Sequence, residues 1–315
     1  MKKIVIFQPY FGKLRNDFYF WLKSVEFNSS IDFVLFTDQE IIAPPKKNIQ
    51  VVKCSLPDIE ILAKKNVWGG CQLYNPYKLC DYRPAYAEIF KDYVVNYDFW
   101  GFCDCDIILG DIRHFITDEI LERHDRILSR GHLSLFRNDR ETNGFYRKMS
   151  DPAYTDVFTS EKSFKFDEWT GTSDLWRKEK EDKFYDEIIF DDISTYIYSF
   201  FSAQKRNQEK NRKNFMFSFD NGKLWRYFEE NGNVIREETL YVHFQRRNMK
   251  VCTSVSSRFS MIPNKYVGFV ENVSVDYLRK NIRTSPFWAY KERVLQKVSK
   301  LLGQKQNRAY LTLWK

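Results

Sequence analysis

The chain has 315 residues, of which 43% are hydrophobic, and this excludes a wholly disordered protein. The length suits one large α/β domain, or one domain with a small extension. A formal charge of +8 favours anionic partners such as phosphate-bearing substrates or an anionic membrane surface. Nucleic acid is not expected as a partner, because the sequence has no RNP motif, zinc-finger spacing or basic zipper.

The N-terminus and the cysteines point to a cytoplasmic location. Only four apolar residues follow Met1-Lys2-Lys3, which is too short for the apolar region of a signal peptide. No apolar run reaches the ~18 residues of a membrane span. The six cysteines form no CxxC pair, so reduced thiols are expected.

The first half predicts strands that alternate with helices. The predicted strands are Ile4–Phe7, Ile31–Phe36, Ile49–Lys53 and Phe99–Cys103, and the predicted helices are Asp17–Phe27 and Tyr77–Tyr93. Pro84 should interrupt the second helix. Such alternation predicts a mostly parallel sheet with helices on both faces, whose ligands gather beyond the carboxyl ends of the strands. Tyr10, Asp38 and Asp104 all follow strand ends.

The second half predicts antiparallel hairpins. Its predicted strands are His132–Phe136, Asn214–Phe219, Lys223–Phe228 and Thr239–Phe244, with Asn-Gly pairs at Asn221-Gly222 and Asn231-Gly232. Asn-Gly pairs between β-prone runs are typical of two-residue hairpin turns. The charged run Gln204–Asn214 is predicted to be a solvated loop.

The C-terminal region is strongly basic, with ten Lys or Arg and one acid from Tyr277 to Lys315. Its apolar residues recur at helical spacing, which predicts either a packed terminal helix or a helix on the anionic inner face of the cell membrane. We therefore expect an α/β domain at 1–270, made of two consecutive halves, 1–110 and 111–270. Residues 271–315 form the predicted basic helical extension.

Asp104-Cys105-Asp106 lies between a predicted strand and the apolar run Ile107–Leu109. Two carboxylates between apolar segments cost free energy unless a cation compensates their charge. Their hard oxygens suit Mg²⁺ or Mn²⁺, which can also bind a substrate diphosphate. A zinc site of the flanking cysteines with His114 is an alternative, although Cys-x-Cys is an unusual zinc spacing.

His243 ends a predicted strand and precedes Arg246 and Arg247. An isolated histidine at a strand end is commonly structural. Beside two guanidinium groups, this imidazole is instead a candidate third metal ligand, with an arginine contacting the diphosphate.

Five segments occur in an order that resembles a known family. They are Pro9-Tyr10-Phe11-Gly12, Phe36-Thr37-Asp38, the stretch from Pro76 to Pro84, Asp104-Cys105-Asp106 and the stretch from His243 to Arg247. Together, over roughly residues 1–250, they look like bacterial GT-A-fold glycosyltransferases of capsule, exopolysaccharide and O-antigen biosynthesis. Some relatives with this pattern transfer galactofuranose from its uridine diphosphate donor and form β linkages.

The resemblance implies a GT-A-like fold over 1–270, with a nucleotide-binding half at 1–110 and an acceptor half at 111–270. It also implies roles for individual positions. Tyr10, Phe11 and Asp38 would surround the nucleoside, Lys78, Asp81 and Arg83 would face the donor phosphate or sugar, and Arg246 would lie near the diphosphate. Asp104, Asp106 and His243 would hold the metal. The full set expected at the donor is Pro9, Tyr10, Phe11, Gly12, Asp38, Lys78, Asp81, Arg83, Asp104, Cys105 and Arg246.

An inverting transferase also needs a general base for the acceptor hydroxyl. Asp167 and Glu168 are the candidates, because GT-A enzymes commonly hold this base in an acidic pair downstream of the metal motif. Asp191 and Asp192 are the reserves. Trp169 and Asn143 are expected to contact the acceptor sugar.

The sequence therefore predicts a metal-dependent, inverting UDP-sugar transferase. The donor is expected to carry galactofuranose or galactose, and the acceptor to be a lipid-linked or oligosaccharide hydroxyl of a bacterial surface polysaccharide. Two alternatives remain: a nucleotidyl- or phosphotransferase using the same carboxylates, or a non-catalytic carbohydrate-binding protein using the 17% of aromatic residues.

Overall fold

The computed structural model describes residues 1–42, 47–168, 171–194, 199–202, 214–245, 247–282 and 294. The chain divides into two compact units. Unit 1 comprises residues 1–14, 28–104 and 116–187, and unit 2 comprises residues 15–27, 105–115 and 188–315. Two short segments from the first 115 residues, 15–27 and 105–115, belong to unit 2. The expected halves 1–110 and 111–270 stay a prediction.

The described strands are β1 (Ile4–Tyr10), β2 (Asp32–Thr37), β3 (Ile49–Lys53), β4 (Phe99–Cys103), β5 (Ile107–Leu109), β6 (Arg126–Ile127), β7 (Leu133–Arg137), β8 (Phe184–Tyr185), β9 (Asp191–Asp192), β10 (Met216–Asp220), β11 (Lys223–Glu230), β12 (Asn233–Glu238), β13 (Tyr241–His243), β14 (Lys250–Val251), β15 (Arg258–Ile262) and β16 (Lys265–Gly268).

The described α-helices are α1 (Phe18–Glu26), α2 (Leu56–Asn66), α3 (Leu79–Tyr82), α4 (Tyr86–Ile89), α5 (Lys91–Val94), α6 (Ile112–Phe115), α7 (Asp118–Arg123), α8 (Arg140–Gly144), α9 (Tyr154–Thr159), α10 (Thr172–Glu179) and α11 (Val275–Asn281). Short 3₁₀ turns occupy Pro76–Lys78, Arg83–Ala85, Phe145–Lys148 and Glu181–Lys183. None of the described helices is long and apolar enough to cross a membrane.

Unit 1 is built on a mostly parallel sheet. Seven of the described strands form it, in the order β3-β2-β1-β4-β7-β6-β8. The first four strands run parallel to one another, whereas β7 is antiparallel to β4 and to β6. All of β4 is buried, as expected of a central strand. The predicted α/β class with a mostly parallel sheet is confirmed.

The predicted helix Tyr77–Tyr93 is broken into short pieces. A 3₁₀ turn at Arg83–Ala85 separates α3 from α4. Pro84 has no backbone N–H to donate, and its ring clashes with the preceding turn, so a continuous α-helix cannot pass through it. The interruption that the sequence predicted is therefore present, and the pieces pack through Tyr86 and Phe90 into the aromatic core of unit 1.

Unit 2 contains the predicted hairpins. Six of the described strands form its larger sheet, in the order β12-β11-β10-β15-β16-β14. The Asn-Gly pairs close the β10–β11 and β11–β12 turns, and all four turn residues have positive φ, as type I′ turns require. The strand β12 was not predicted. The predicted strand Thr239–Phe244 shortens to β13, which pairs with β5 and β9 in a separate small sheet.

Two predicted segments fall mainly outside the described residues. They are the charged run after Gln204 and the basic extension beyond Ile282. Within the extension, α11 is described, and its Leu278 packs against Met216 and Tyr227 of the larger sheet of unit 2.

The two Asn-Gly turns offer a matched test of turn geometry. We expect Gly222→Ala to destabilise the protein more than Gly232→Ala. Both glycines have positive φ, which costs an alanine about 1–2 kcal/mol. A Cβ at Gly222 would also lie 3.1 Å from the Phe27 Cβ, whereas a Cβ at Gly232 would meet no atom within 4 Å. Urea unfolding measures both losses, and equal losses would show that Phe27 moves aside without cost.

Candidate functional site

The small sheet of unit 2 brings together three polar side chains that lie far apart in the sequence. Asp106 immediately precedes β5, and its carbonyl accepts a hydrogen bond from the Phe244 N–H at 3.0 Å. In the register of this sheet, His243 of β13 is opposite Ile107 of β5 and beside Asp192 of β9. The strand pairing therefore places Asp106, His243 and Asp192 at one end of the sheet.

The His243 imidazole bridges two carboxylates. Its Nε2 lies 3.4 Å from Asp106 Oδ1, and its Nδ1 lies 2.9 Å from Asp192 Oδ1. The Gln245 amide also donates to Asp192 Oδ1 at 2.9 Å. Burial lowers the pKa of His243, but the two carboxylates outweigh it and raise this pKa to about 10. In the metal-free protein, the imidazolium therefore offsets the charge of the two acids.

This donor set fits a divalent cation. Carboxylate oxygens with one imidazole suit Mn²⁺ or Mg²⁺, and a metal would replace the proton that His243 carries. The bond from His243 to Asp192 resembles the carboxylate contact that orients metal-binding histidines. Asp104 belongs to unit 1. It is near Asp106 because only one residue, Cys105, separates the two in the sequence.

Adjacent acids of β9 have different surroundings, because successive strand side chains point to opposite faces. Asp192 contacts His243, whereas Asp191 is fully buried and accepts a hydrogen bond of 2.6 Å from Arg226. Burial raises the pKa of Asp191, against the attraction of Arg226. Of the two reserve acids, Asp192 therefore belongs to the histidine cluster and Asp191 to a buried ion pair.

In unit 1, the loop after β1 is tied to the end of β2. The Gly12 N–H donates to Asp38 Oδ1 at 3.0 Å, and the Tyr10 hydroxyl donates to the Lys13 carbonyl at 2.9 Å. A hydrogen bond from Gln39 is the main reason that the pKa of Asp38 lies below its usual value. Pro9 and Tyr10 end β1, and Phe11 packs into the core. The structure thus gathers the residues expected around the nucleoside.

Arg83 connects two other predicted site residues within unit 1. One Nη atom donates to Asp104, and the other donates to Asp167 at 2.8 Å and to the Gly131 carbonyl at 2.7 Å. A Cβ at Gly131 would lie 2.9 Å from Asp167 Oδ2, so only glycine fits against this group without displacement. Burial raises the pKa of Asp167 to about 6, although Arg83 favours its carboxylate form. Its Oδ1 is buried and has no hydrogen-bond partner among the described residues.

Lys78 and Asp81 are buried and bonded to each other at 2.9 Å. The Lys78 ammonium also donates to the Lys162 carbonyl at 2.6 Å. The Asp81 carboxylate accepts from the backbone N–H groups of Phe164 and Phe166 at 3.0–3.2 Å. This pair therefore holds the segment that leads to Asp167, and its charged atoms are occupied by the protein itself.

The remaining predicted site residues have distinct environments. Glu168 has a side chain 37% exposed, with Lys165 3.9 Å away, whereas the Asp167 side chain is 2% exposed. The Asn143 amide bonds Trp100 and Asn138, so both ends of this side chain have partners within unit 1. Cys105 is buried. Trp169 and Arg246 lie outside the described residues.

The sequence did not single out Arg15 or Gln245. Arg15 Nη1 lies 3.9 Å from Asp106 Oδ2, and Gln245 bonds Asp192. Gln245 follows His243 by two residues, so its position just after a predicted strand end could have indicated a site residue. Arg15 had no such signal, because α1 and β5 meet only in the folded unit.

We expect Asp81→Asn to cost about 3–5 kcal/mol of the free energy of unfolding, because it leaves Lys78 as an uncompensated buried cation. Lys78→Met should cost less, since two backbone N–H groups still bond the Asp81 carboxylate. Urea unfolding measures both. The control is Asp174→Asn, which breaks an exposed pair with Lys178 and should have a much smaller effect. Equal losses for Asp81→Asn and the control would contradict a structural role of the buried pair.

Comparisons with known proteins place the chain in a family. No curated protein matches its sequence. It is similar to the crystal structure of the apo-form glycosyltransferase GlyE of Streptococcus pneumoniae TIGR4, with 15% identity, a TM-score of 0.35 and coverage of 59% of this chain and 45% of GlyE. A second GlyE crystal structure has 14% identity, a TM-score of 0.32 and the same coverage. This chain therefore spans less than half of the GlyE chain.

The galactosyltransferase LgtC, in complex with donor and acceptor sugar analogues, has 11% identity and a TM-score of 0.35, with coverage of 61% of this chain and 76% of LgtC. The chain also matches a protein family, DUF6625, described as a family of unknown function, over residues 6–269. Because this match covers more than half of the sequence, the chain belongs to the DUF6625 family.

Proposed function

We propose that this protein is a metal-dependent glycosyltransferase that moves a sugar from a UDP-sugar to a hydroxyl of a bacterial surface polysaccharide or its lipid-linked precursor. The observation that carries the proposal is the bridging of Asp106 and Asp192 by His243 in unit 2. Asp104, two residues before Asp106, supplies a further carboxylate. Such oxygen-rich sites with one imidazole suit the cations that bind diphosphates.

In this proposal Asp104, Asp106 and His243 would hold Mn²⁺ or Mg²⁺, and Asp192 would orient the imidazole. When bound, the ion would neutralise the negative charge that develops on the departing diphosphate. Asp192 acts through its hydrogen bond to Nδ1, which directs Nε2 towards Asp106.

The donor nucleotide is assigned to the strand ends of unit 1. Tyr10, Phe11 and Gly12 form the loop that Asp38 ties down, and an ionised carboxylate at Asp38 can accept hydrogen bonds from a base or ribose. Arg83 and Asp104 present donor and acceptor atoms of the kind that sugar hydroxyls require. UDP-galactofuranose and UDP-galactose are the donors we propose to test first.

Glu168 is the proposed general base, because its carboxylate is exposed and Asp167 is committed to Arg83. The acceptor hydroxyl oxygen attacks the anomeric carbon, its proton passes to Glu168, and the bond from that carbon to the diphosphate oxygen breaks. The electron pair leaves with UDP. This single displacement inverts the configuration at the anomeric carbon.

We expect UDP with Mn²⁺ to raise the melting temperature of the wild-type protein by about 5 °C or more at roughly 100 times Kd. EDTA should abolish the rise. Asp106→Asn and His243→Gln should also lose it, because each removes a metal ligand. His114→Gln is the matched control, since this histidine of unit 2 has a side chain 58% exposed, and it should respond like the wild type.

A rise that persists in EDTA, or in His243→Gln, would contradict the metal role. Product analysis with a panel of UDP-sugars then identifies the reaction. Glycosyl transfer releases UDP, whereas nucleotidyl transfer releases pyrophosphate. A protein that binds glycans but no nucleotide would be a carbohydrate-binding protein instead.

A further inference from the structure

Arg15 has an orientation that its contacts in unit 2 determine. Its Nε donates to Asp17 Oδ1 at 2.9 Å and its Nη2 donates to Asp17 Oδ2 at 3.0 Å. Nη2 also donates to the Arg247 carbonyl at 3.3 Å. A planar guanidinium held at both Nε and Nη2 cannot turn, so the direction of its remaining nitrogen, Nη1, is set by the fold.

That remaining nitrogen faces the histidine cluster. Nη1 lies 3.9 Å from Asp106 Oδ2, which is beyond hydrogen-bond distance. The Arg15 side chain is 25% exposed, whereas Asp17 is 2% exposed. Burial lowers the pKa of Arg15, but the hydrogen bond and the charge of Asp17 outweigh burial, and the net effect is a raised pKa. The guanidinium is therefore always a cation. A fixed cation thus stands beside the carboxylate that is proposed to bind the metal.

Arg247, also in unit 2, is engaged elsewhere. Its Nη1 donates to Asn264 at 2.7 Å, its Nη2 donates to the Ser194 carbonyl, and its side chain is buried. These bonds tie together segments of unit 2. An ion-pair contact instead places Arg15 at Asp106.

We propose that Arg15 and the Asp106–His243 cluster form an anion subsite that binds a phosphate oxygen of a nucleoside diphosphate. Nη1 donates a charge-assisted hydrogen bond to this oxygen, which lies beside the Asp106 carboxylate. Asp17 is a positioning residue, because its two hydrogen bonds hold the guanidinium in place. The inference rests on the proposed function for the identity of the anion and adds a residue to the diphosphate site.

The same contacts suit a simpler role in which Arg15 only offsets the charge of Asp17 and Asp106. The two roles differ in what removal of Arg15 does to ligand binding. Charge compensation alone predicts tighter Mn²⁺ binding and no specific loss of nucleotide affinity. An anion subsite predicts weaker UDP binding at saturating Mn²⁺.

Isothermal titration of the full chain with Mn²⁺ alone, and with UDP at saturating Mn²⁺, distinguishes these roles. The main variant is Arg15→Gln with Asp17→Asn, which removes both charges together and leaves no buried aspartate unpaired. Arg15→Lys keeps the positive charge but removes the planar guanidinium with its several N–H donors. Arg279→Gln is the control, since Arg279 pairs with Glu229 on the surface of the same unit.

We expect the double variant to weaken UDP binding by about tenfold or more, the size of one charge-assisted hydrogen bond, and to leave Mn²⁺ affinity unchanged or increased. Arg15→Lys should lie between it and the wild type, and Arg279→Gln should match the wild type. A melting temperature measurement confirms that each variant is folded.

Unchanged UDP affinity in both Arg15 variants would overturn the subsite while the proposed function stands. If the wild-type protein binds Mn²⁺ but no UDP, the subsite and the proposed transferase fail together. If UDP binds equally with Mn²⁺ and with EDTA, the metal role fails, and a loss of affinity in the double variant would still support Arg15 as the diphosphate contact.

Discussion

The cost of burying a carboxylate constrains where the charged side chains of this structure lie. The four aspartates that are buried among the described residues each contact a cationic side chain, in the pairs Asp17–Arg15, Asp81–Lys78, Asp167–Arg83 and Asp191–Arg226. A buried charge without such a partner would cost several kcal/mol. Arg15 lies beside Asp106, Arg83 donates to Asp104, and Asp191 precedes Asp192 in the same strand. The ion pairs that stabilise the buried aspartates therefore also position candidate site residues.

In each unit, one arginine lies between a buried aspartate and a half-buried aspartate of the Asp104-Cys105-Asp106 motif. Arg83 connects Asp167 to Asp104 in unit 1, and Arg15 connects Asp17 to Asp106 in unit 2. The buried acid holds the guanidinium in place. The remaining nitrogen of Arg83 donates to Asp104, and the remaining nitrogen of Arg15 lies 3.9 Å from Asp106. Preorganised cations of this kind suit a reaction in which negative charge develops on a leaving group, because they need no reorganisation when it forms. This shared arrangement supports the transferase proposal independently of any likeness to known structures.

Much of the framework was predictable because it depends on local chemistry. The alternation of strands and helices predicted the sheet of unit 1, Pro84 predicted the break in its helical segment, and two Asn-Gly pairs predicted the hairpins of unit 2. The roles of Lys78 and Asp81 were less accessible. The resemblance implied contacts to a donor phosphate or sugar, which stay a prediction. The structure shows the two residues bonded to each other and to the backbone near Phe164. Opposite charges three residues apart occur both in buried pairs and on solvated surfaces, so this spacing does not predict burial.

The sequence by itself determined the class of the fold, the position of Asp104-Cys105-Asp106 after a buried strand, and the candidacy of His243. These follow from periodicity, turn chemistry and strand-end position, which act over a few residues. Only the tertiary structure decided that Asp192 bonds His243 and that Arg15 faces Asp106. Those contacts join residues far apart in the chain, and they depend on strand register and on the burial of charge. Strand register and the burial of charge are properties of the packed unit, and the local pattern of residues does not predict them.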